Sequence, residues 1–264
     1  MSDGVEGRGG EGRGRTGRVL PAILAAAVLA GGLTLPGAAA AQQDGDFLFE
    51  RPTMRFGVRT GYAMPRAASQ IFDFTTRRLT VDEDDFDSFA LSGELAFRAN
   101  ERLDVAVEVG VSRAEIFSEF RDYVGTDDLP IQQTTDFTRI PVTLNVRGYL
   151  FERGRSVSRY AWIPGGWSPY LGAGVGWISY EFSQDGEFVD FETLDIFRDR
   201  FVSDGTAPTV HVVGGIDVSL GRRLVLSGEG RYGWAEGEMD GDFVGFDEID
   251  LSGFQATVGI SVRF

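Results

Sequence analysis

Period-two alternation of apolar and polar side chains, repeated in eight separate segments, is the feature that most restricts what this chain can fold into. Successive side chains of an extended strand point to opposite faces, so each segment has one apolar and one polar face. In the first, Met54, Phe56, Val58, Thr60 and Tyr62 alternate with Arg55, Gly57, Arg59 and Gly61. In the second, Phe89, Leu91, Gly93, Leu95 and Phe97 alternate with Ala90, Ser92, Glu94, Ala96 and Arg98. The third sets Leu103, Val105, Val107, Val109 and Val111 against Asp104, Ala106, Glu108, Gly110 and Ser112. The fourth sets Ile140, Val142, Leu144, Val146 and Leu150 against Arg139, Thr143, Asn145, Arg147 and Tyr149. The fifth, Tyr170 to Tyr180, is Gly-rich, with Leu171, Ala173, Val175 and Trp177 on one face. The sixth has Val210, Val212, Ile216, Val218 and Leu220 against His211, Gly215, Asp217 and Ser219. The seventh has Leu224, Leu226, Tyr232 and Trp234 against Ser227, Glu229, Arg231 and Gly233. The last has Phe254, Ala256, Val258, Ile260, Val262 and Phe264 against Gln255, Thr257, Gly259, Ser261 and Arg263.

The connections alternate in length. Ala99-Asn100-Glu101 and Gly221-Arg222 are tight, whereas 65–86, 118–136, 183–207 and 236–250 are long, with 152–168 as one exception. A transmembrane β-barrel has short turns on one side of the membrane and long loops on the other. The polar face holds Arg55, Arg59, Glu94, Arg98, Asp104, Glu108, Arg139, Arg147, Asp217, Glu229, Arg231 and Arg263. A secreted lipocalin-like barrel or sandwich would turn these charges to water. Mixed signs suit mutual pairing inside a membrane barrel better, and eight strands enclose a space that side chains just fill. The opposite face is nearly free of charge, and aromatics gather toward the segment ends, as interface girdles do. The expectation is an all-β fold: an eight-stranded antiparallel transmembrane barrel over residues 53–264, with short periplasmic turns and long acidic extracellular loops. Segment 152–168, with Arg153, Arg155, Arg159, Trp162 and Trp167, is expected to be a longer periplasmic turn at the inner interface.

Residues 1–41 read as an address. Arg8, Arg13, Arg15 and Arg18 precede an apolar run from Val19 to Leu35, and Ala39 and Ala41 form an A-x-A site before Gln42. That is the secretory pattern. A membrane anchor is the alternative, weakened by Gly31-Gly32 and the marginal length of the run. Residues 42–52 are then a periplasmic lead. Cys is absent and His occurs once, which removes disulfides, thiol chemistry and multi-His metal sites. A net charge of −15 argues against nucleic acid as a partner.

The chain ends Phe254-Gln-Ala-Thr-Val-Gly-Ile-Ser-Val-Arg-Phe264. A terminal Phe preceded by apolar residues at alternate positions (Phe254, Val258, Ile260, Val262, Phe264) resembles the sorting signal of bacterial outer-membrane barrels. Pro169-Tyr-Leu-Gly-Ala-Gly-Val-Gly176 and Arg139-Ile-Pro-Val-Thr-Leu144 resemble strands of small barrels of the OmpW and opacity-porin type. The resemblance covers residues 53–264. It implies the outer membrane of a Gram-negative-type bacterium, contact with lipids including lipopolysaccharide, and recognition by the barrel-assembly machinery. Members include OmpA-type anchors, OmpX-type adhesion proteins and OmpW-type small-solute channels, so location is implied more sharply than activity. No peptidoglycan-binding domain follows, which is expected to leave out the anchoring role.

The long connections are acidic, among them Asp82-Glu83-Asp84-Asp85. Two share a pattern, Asp185-Gly-Glu-Phe-Val-Asp-Phe-Glu-Thr-Leu-Asp-Ile196 and Asp240-Gly-Asp-Phe-Val-Gly-Phe-Asp-Glu-Ile-Asp-Leu251. Asp-Gly favours a tight turn, and Phe188, Phe191, Phe243 and Phe246 are placed to pack the loops over the barrel mouth. Clustered carboxylates could take Ca²⁺ or Mg²⁺, but without the spacing of a known motif they read first as a solvated face. His211, near the expected outer rim, has no nucleophile motif beside it and reads as an interior hydrogen-bonded residue, not a catalytic base. No enzyme activity, cofactor or metal is expected. A narrow channel for small or hydrophobic solutes stands first, gated by internal charge pairs or by lateral exit through Gly172, Gly174 and Gly176. A non-conducting barrel acting through its acidic loops is the alternative.

Overall fold

The computed structural model describes residues 48–125, 128–158, 160–190 and 192–264. The secretory segment, with Ala39, Ala41 and Gln42, lies outside them, as do Arg159 and Phe191. Eight strands close into an antiparallel barrel in the order β1-β12-β9-β8-β7-β4-β3-β2. They are β1 (Met54–Pro65), β2 (Ser88–Arg98), β3 (Leu103–Val124), β4 (Pro130–Tyr149), β7 (Trp167–Val189), β8 (Ile196–Ser219), β9 (Leu224–Trp234) and β12 (Gly253–Arg263). The two chain ends meet, since β1 pairs with β12 from Arg55↔Arg263 to Pro65↔Gly253. Closure leaves no sheet edge, which a strand-built membrane protein requires.

The faces sort as the alternation requires. Arg55, Arg59, Glu94, Glu108, Arg147, Asp217 and Glu229 are buried in the lumen, while Phe56, Val58, Leu91, Val107, Leu144, Val175, Val212 and Val258 are exposed on the outside. Charge inside and apolar surface outside is the reverse of a water-soluble barrel, and lipid is the solvent that tolerates it. Tyr62, Phe89, Trp177, Trp234 and Phe254 mark the upper edge of this belt, and Phe97, Phe151, Trp167 and Phe264 the lower. Ten residues separate Trp167 from Trp177, which at a strand rise of about 3.3 Å and a tilt of about 40° gives roughly 25 Å, the height of a barrel's apolar band.

Two of the four expected loops are strand instead. β3 runs on to Val124 and β4 begins at Pro130, and β7 runs on to Val189 and β8 begins at Ile196, so 118–136 and 183–207 are mostly paired strand. The pairing continues but the chemistry of the faces inverts. Beyond Ser112 the inward side chains of β3 become Ala114, Ile116 and Phe120, and the outward ones Arg113, Glu115 and Glu119. On β4 the inward set changes from Arg147, Asn145 and Thr143 to Phe137, Thr135 and Ile131. The lipid boundary lies at this inversion, because water replaces lipid outside and an ordinary apolar core replaces the polar lumen inside.

That core forms a dome. Helix α1 (Gln70–Arg78) sits over the barrel mouth with Ile71, Phe72 and Thr75 buried. The Phe72 ring meets Phe86, Phe137 and Phe182 edge-on at centroid distances of 4.8, 5.5 and 6.0 Å. The connection 236–250, with β10 (Glu236–Gly237) paired to β11 (Ile249–Asp250), folds against it, and Arg66 Nε donates to Asp250 Oδ2 at 2.8 Å. The repeated motifs diverge in structure. Asp185-Gly186 lies within β7, opposite Gln133, whereas Gly241 turns with φ +63°. Their aromatics still converge, Phe188 and Phe243 both packing on Phe201.

The periplasmic end is also covered. β5 (Gly154–Ser158) and β6 (Ala161–Pro164) form a hairpin whose Trp162 is bridged by backbone to Leu48 and is 2% exposed. Trp162 therefore folds beneath the barrel and not into the interface, while Trp167 opens β7 and joins the lower aromatic belt.

Leu144→Arg, on the lipid face at mid-strand, should lower unfolding free energy in lipid vesicles by about 2–4 kcal/mol. Leu194→Arg, equally exposed but at a hairpin tip, should change it by less than ~0.5 kcal/mol. Equal effects would contradict the belt.

Candidate functional site

The lumen is built around Arg147 of β4, whose side chain has no exposed surface. Its Nη2 pairs with Glu94 of β2, and with Glu229 of β9 at 3.0 Å. Arg59 of β1 reaches Glu94 at 3.0 Å, Glu229 at 3.3 Å and Glu108 of β3 at 3.4 Å. Arg231 joins Glu108, and Glu229 at 3.0 Å. Arg55 ties Asp217 of β8 to Glu94. Four arginines thus meet four carboxylates across six strands, and the layer is neutral. Tyr170 and Tyr149 complete it, donating at 2.8 Å to Glu229 and Asp217.

Such crowding needs a thin wall. A Cβ at Gly174 would lie 2.5 Å from both His211 Nε2 and Asn145 Oδ1, and one at Gly259 2.4 Å from Arg59 Cγ. Glycine is the residue that leaves this room. β7 is paired throughout on both sides, to β4 and to β8, and the space over Gly174 is taken by His211 and Asn145. The lateral exit expected through Gly172, Gly174 and Gly176 has no opening here.

Two cavities flank the layer. One of about 30 Å³ lies on the periplasmic side, with Arg55, Asp104 and Asp217 in its wall. One of about 80 Å³ lies toward the dome, lined by Arg139, Thr143, His211 and Arg231 among others. They share no lining residue. Arg59, Glu94, Arg147 and Glu229 stand between them.

The expected interior set of twelve is therefore divided. Eight form the layer: Arg55, Arg59, Glu94, Glu108, Arg147, Asp217, Glu229 and Arg231. Asp104 pairs instead with Arg153, which also stacks on Tyr149. Alternation did not reach Arg153, because it lies in the periplasmic connection and not on a barrel strand. Arg98, Arg139 and Arg263 stand apart from the layer because they sit at the ends of the lumen. Arg98 and Arg263 lie against Trp162, and Arg139 against Phe137. His211 is deep in the lumen and not at the rim, and its Nε2 donates to Asn145 Oδ1. Phe254, Val258, Ile260 and Phe264 face outward from β12.

One acid of the outer part shapes a turn. Backbone N–H groups of Glu192 and Thr193 hold the Asp190 carboxyl below its ordinary pKa and shape the β7–β8 turn. Burial, with Asp240 and Glu238 nearby, pushes the Tyr180 hydroxyl up, and it donates to the Glu238 carbonyl. Among the described residues no group of three or more His, Asp or Glu is placed to hold a metal ion.

No family model and no curated protein sequence matches the chain. Several solved structures are similar. Neisserial surface protein A is 13% identical, over 80% of this chain and 97% of that one, with a TM-score of 0.46. The outer membrane protein OprG from Pseudomonas aeruginosa is 13% identical, over 82% and 99%, with a TM-score of 0.43. Ail, the attachment invasion locus protein of Yersinia pestis, solved with the heparin analogue sucrose octasulfate, is 13% identical over 80% and 99%, with a TM-score of 0.37. At this identity a likeness concerns fold and not activity.

Removing one partner of a buried ion pair leaves the other charge uncompensated, at a cost of about 3–5 kcal/mol. Glu94→Gln, which strips a partner from Arg55, Arg59 and Arg147 together, should destabilise the barrel by about that much in urea titration. A loss below ~1 kcal/mol would mean the layer is hydrated and loosely held.

Proposed function

We propose that this chain is a bacterial outer-membrane barrel that does not conduct and works by presenting its dome at the cell surface. The observation that carries this reading is the neutral ion-pair layer between two cavities of about 30 and 80 Å³. A solute crossing the lumen would have to separate Arg147 from Glu94 and Glu229, in surroundings where each exposed charge costs several kcal/mol. The narrow channel expected from the sequence is the less supported of the two alternatives.

The dome supports the surface role. Four strands continue past the lipid boundary, and α1 with the 236–250 connection closes them over a core of their own. A folded platform of this kind offers a partner a preorganised surface. Its outer faces carry Glu115, Glu119, Asp136, Glu181, Asp185 and Asp204 against Arg113, Arg198 and Arg200, a balance that suits a cationic partner. In this reading the chain is exported by a signal peptide cleaved after Ala41, Phe264 with Phe254, Val258, Ile260 and Val262 is read by the assembly machinery, and the belt contacts outer-membrane lipids including lipopolysaccharide. The hydrogen bond of His211 to Asn145, inside the lumen, supports a structural place for this residue.

Refolded protein lacking residues 1–41, added to a planar bilayer, should insert without discrete current steps. Reproducible openings from inserted protein would reverse the order of the two readings and return the lumen to the role of a gate.

A further inference from the structure

The periplasmic cavity has an unmatched charge. Its wall includes four arginines, Arg55, Arg98, Arg153 and Arg263, and two aspartates, Asp104 and Asp217. Asp217 is taken by Arg55 and Asp104 by Arg153. Arg98 and Arg263 remain without a carboxylate at ion-pair distance among the described residues. Both crowd one ring, their guanidinium carbons lying 5.1 and 5.5 Å from the centroid of Trp162.

Their donors are idle as well as their charge. Arg263 Nη2 donates to Ser219 Oγ at 2.6 Å and to the Gly221 carbonyl at 3.5 Å, but Arg263 Nε is shielded from solvent and has no hydrogen-bond partner among the described residues. The same holds for Arg98 Nε and Nη1. Arg263 is only 7% exposed. Buried N–H groups of a cation are costly to leave unpaired, and two like charges facing one small cavity compound that cost. Asp104 and Asp217 each keep one unpartnered oxygen, yet the charge of both is already matched. Among the described residues the uncompensated charge in the cavity is therefore positive.

We propose that this cavity is a binding site for one single-atom anion of the halide class, held by Arg98 and Arg263, two of the residues that line it. Size selects the class. About 30 Å³ admits one or two particles the size of water. A tetrahedral oxyanion such as sulfate or phosphate, or a carboxylate with its carbon, exceeds that space and would project toward the open side of the pocket. Arg98 and Arg263 take no part in the neutral layer, although Arg55 and Asp217 of that layer line the same cavity. The bound anion would complete the charge of the lower lumen and fasten the β5–β6 hairpin, through Trp162, to the ends of β2 and β12.

Bromide is the probe. In crystals of the refolded protein soaked in bromide, an anomalous peak is expected within hydrogen-bond distance of both Arg98 and Arg263. In detergent solution a tenfold rise in chloride or bromide, at constant ionic strength, should move the urea midpoint upward, and sulfate should not. The shift should disappear in R98Q/R263Q and be reduced in R98Q alone. A cavity holding only water at high bromide overturns the proposal, and so does a midpoint that follows sulfate as it follows chloride. Both decisive readings use the unaltered protein, so a variant that fails to refold leaves the test intact.

Discussion

An eight-stranded barrel has no room for bulk water, so a charge that its strands turn inward is costly unless another strand supplies its partner. Here the solution is four arginines and four carboxylates in one layer, with Arg147 at its centre. The layer decides much else. It requires glycine at Gly174 and Gly259, where a Cβ would collide with its members or with the neighbouring His211 and Asn145. It links six strands by side chains in addition to the backbone ladder. It also separates the lumen into two small cavities. Ion pairs of this kind add little net stability relative to apolar packing, because desolvation offsets most of the Coulomb gain. What they impose is stoichiometry: a strand that slipped register by one residue would send its charges into lipid and strand their partners.

A second constraint acts along the strands. β3, β4, β7 and β8 keep period two over 20 to 24 residues, yet the meaning of inward and outward reverses near Ser112 and Arg139. Below that level the outside is lipid and the inside polar. Above it the outside is water and the inside is a core of Phe72, Phe86, Phe137 and Phe182. One continuous sheet thus serves two solvents, and the dome is an ordinary globular core standing on the barrel wall.

Much of this was legible in the sequence. Strand number, the sidedness of each lower segment and the inward direction of the twelve charged residues followed from alternation alone, because lumen and lipid face differ sharply in charge; that only eight of them meet in one layer did not. The upper halves of four strands read as loops because the polarity inversion breaks the pattern that defined the lower halves: Glu115, Phe117 and Glu119 share the face of Val107 and Val109. The dome helix escaped notice because Gln70–Arg78 is short and buries only Ile71, Phe72 and Thr75. Arg153 and Trp162 escaped because their positions depend on how a connection folds beneath the barrel, which no periodicity records. The repeated Asp-Gly motifs misled for a related reason, since the neighbouring strand absorbed one of them into β7.

Charge balance within the central layer is the central claim, and a double-mutant cycle on Arg147 and Glu94 tests it most directly. Glu94→Gln, Arg147→Met and the double variant would each be unfolded by urea in lipid vesicles. Each single change leaves one charge uncompensated, while the double change restores neutrality. The double variant should therefore be more stable than the sum of the single losses implies, by about 1–3 kcal/mol, and no less stable than the worse single variant. Simple additivity would contradict the account, because it would mean that each side chain is stabilised on its own and that the neutrality of the layer is incidental.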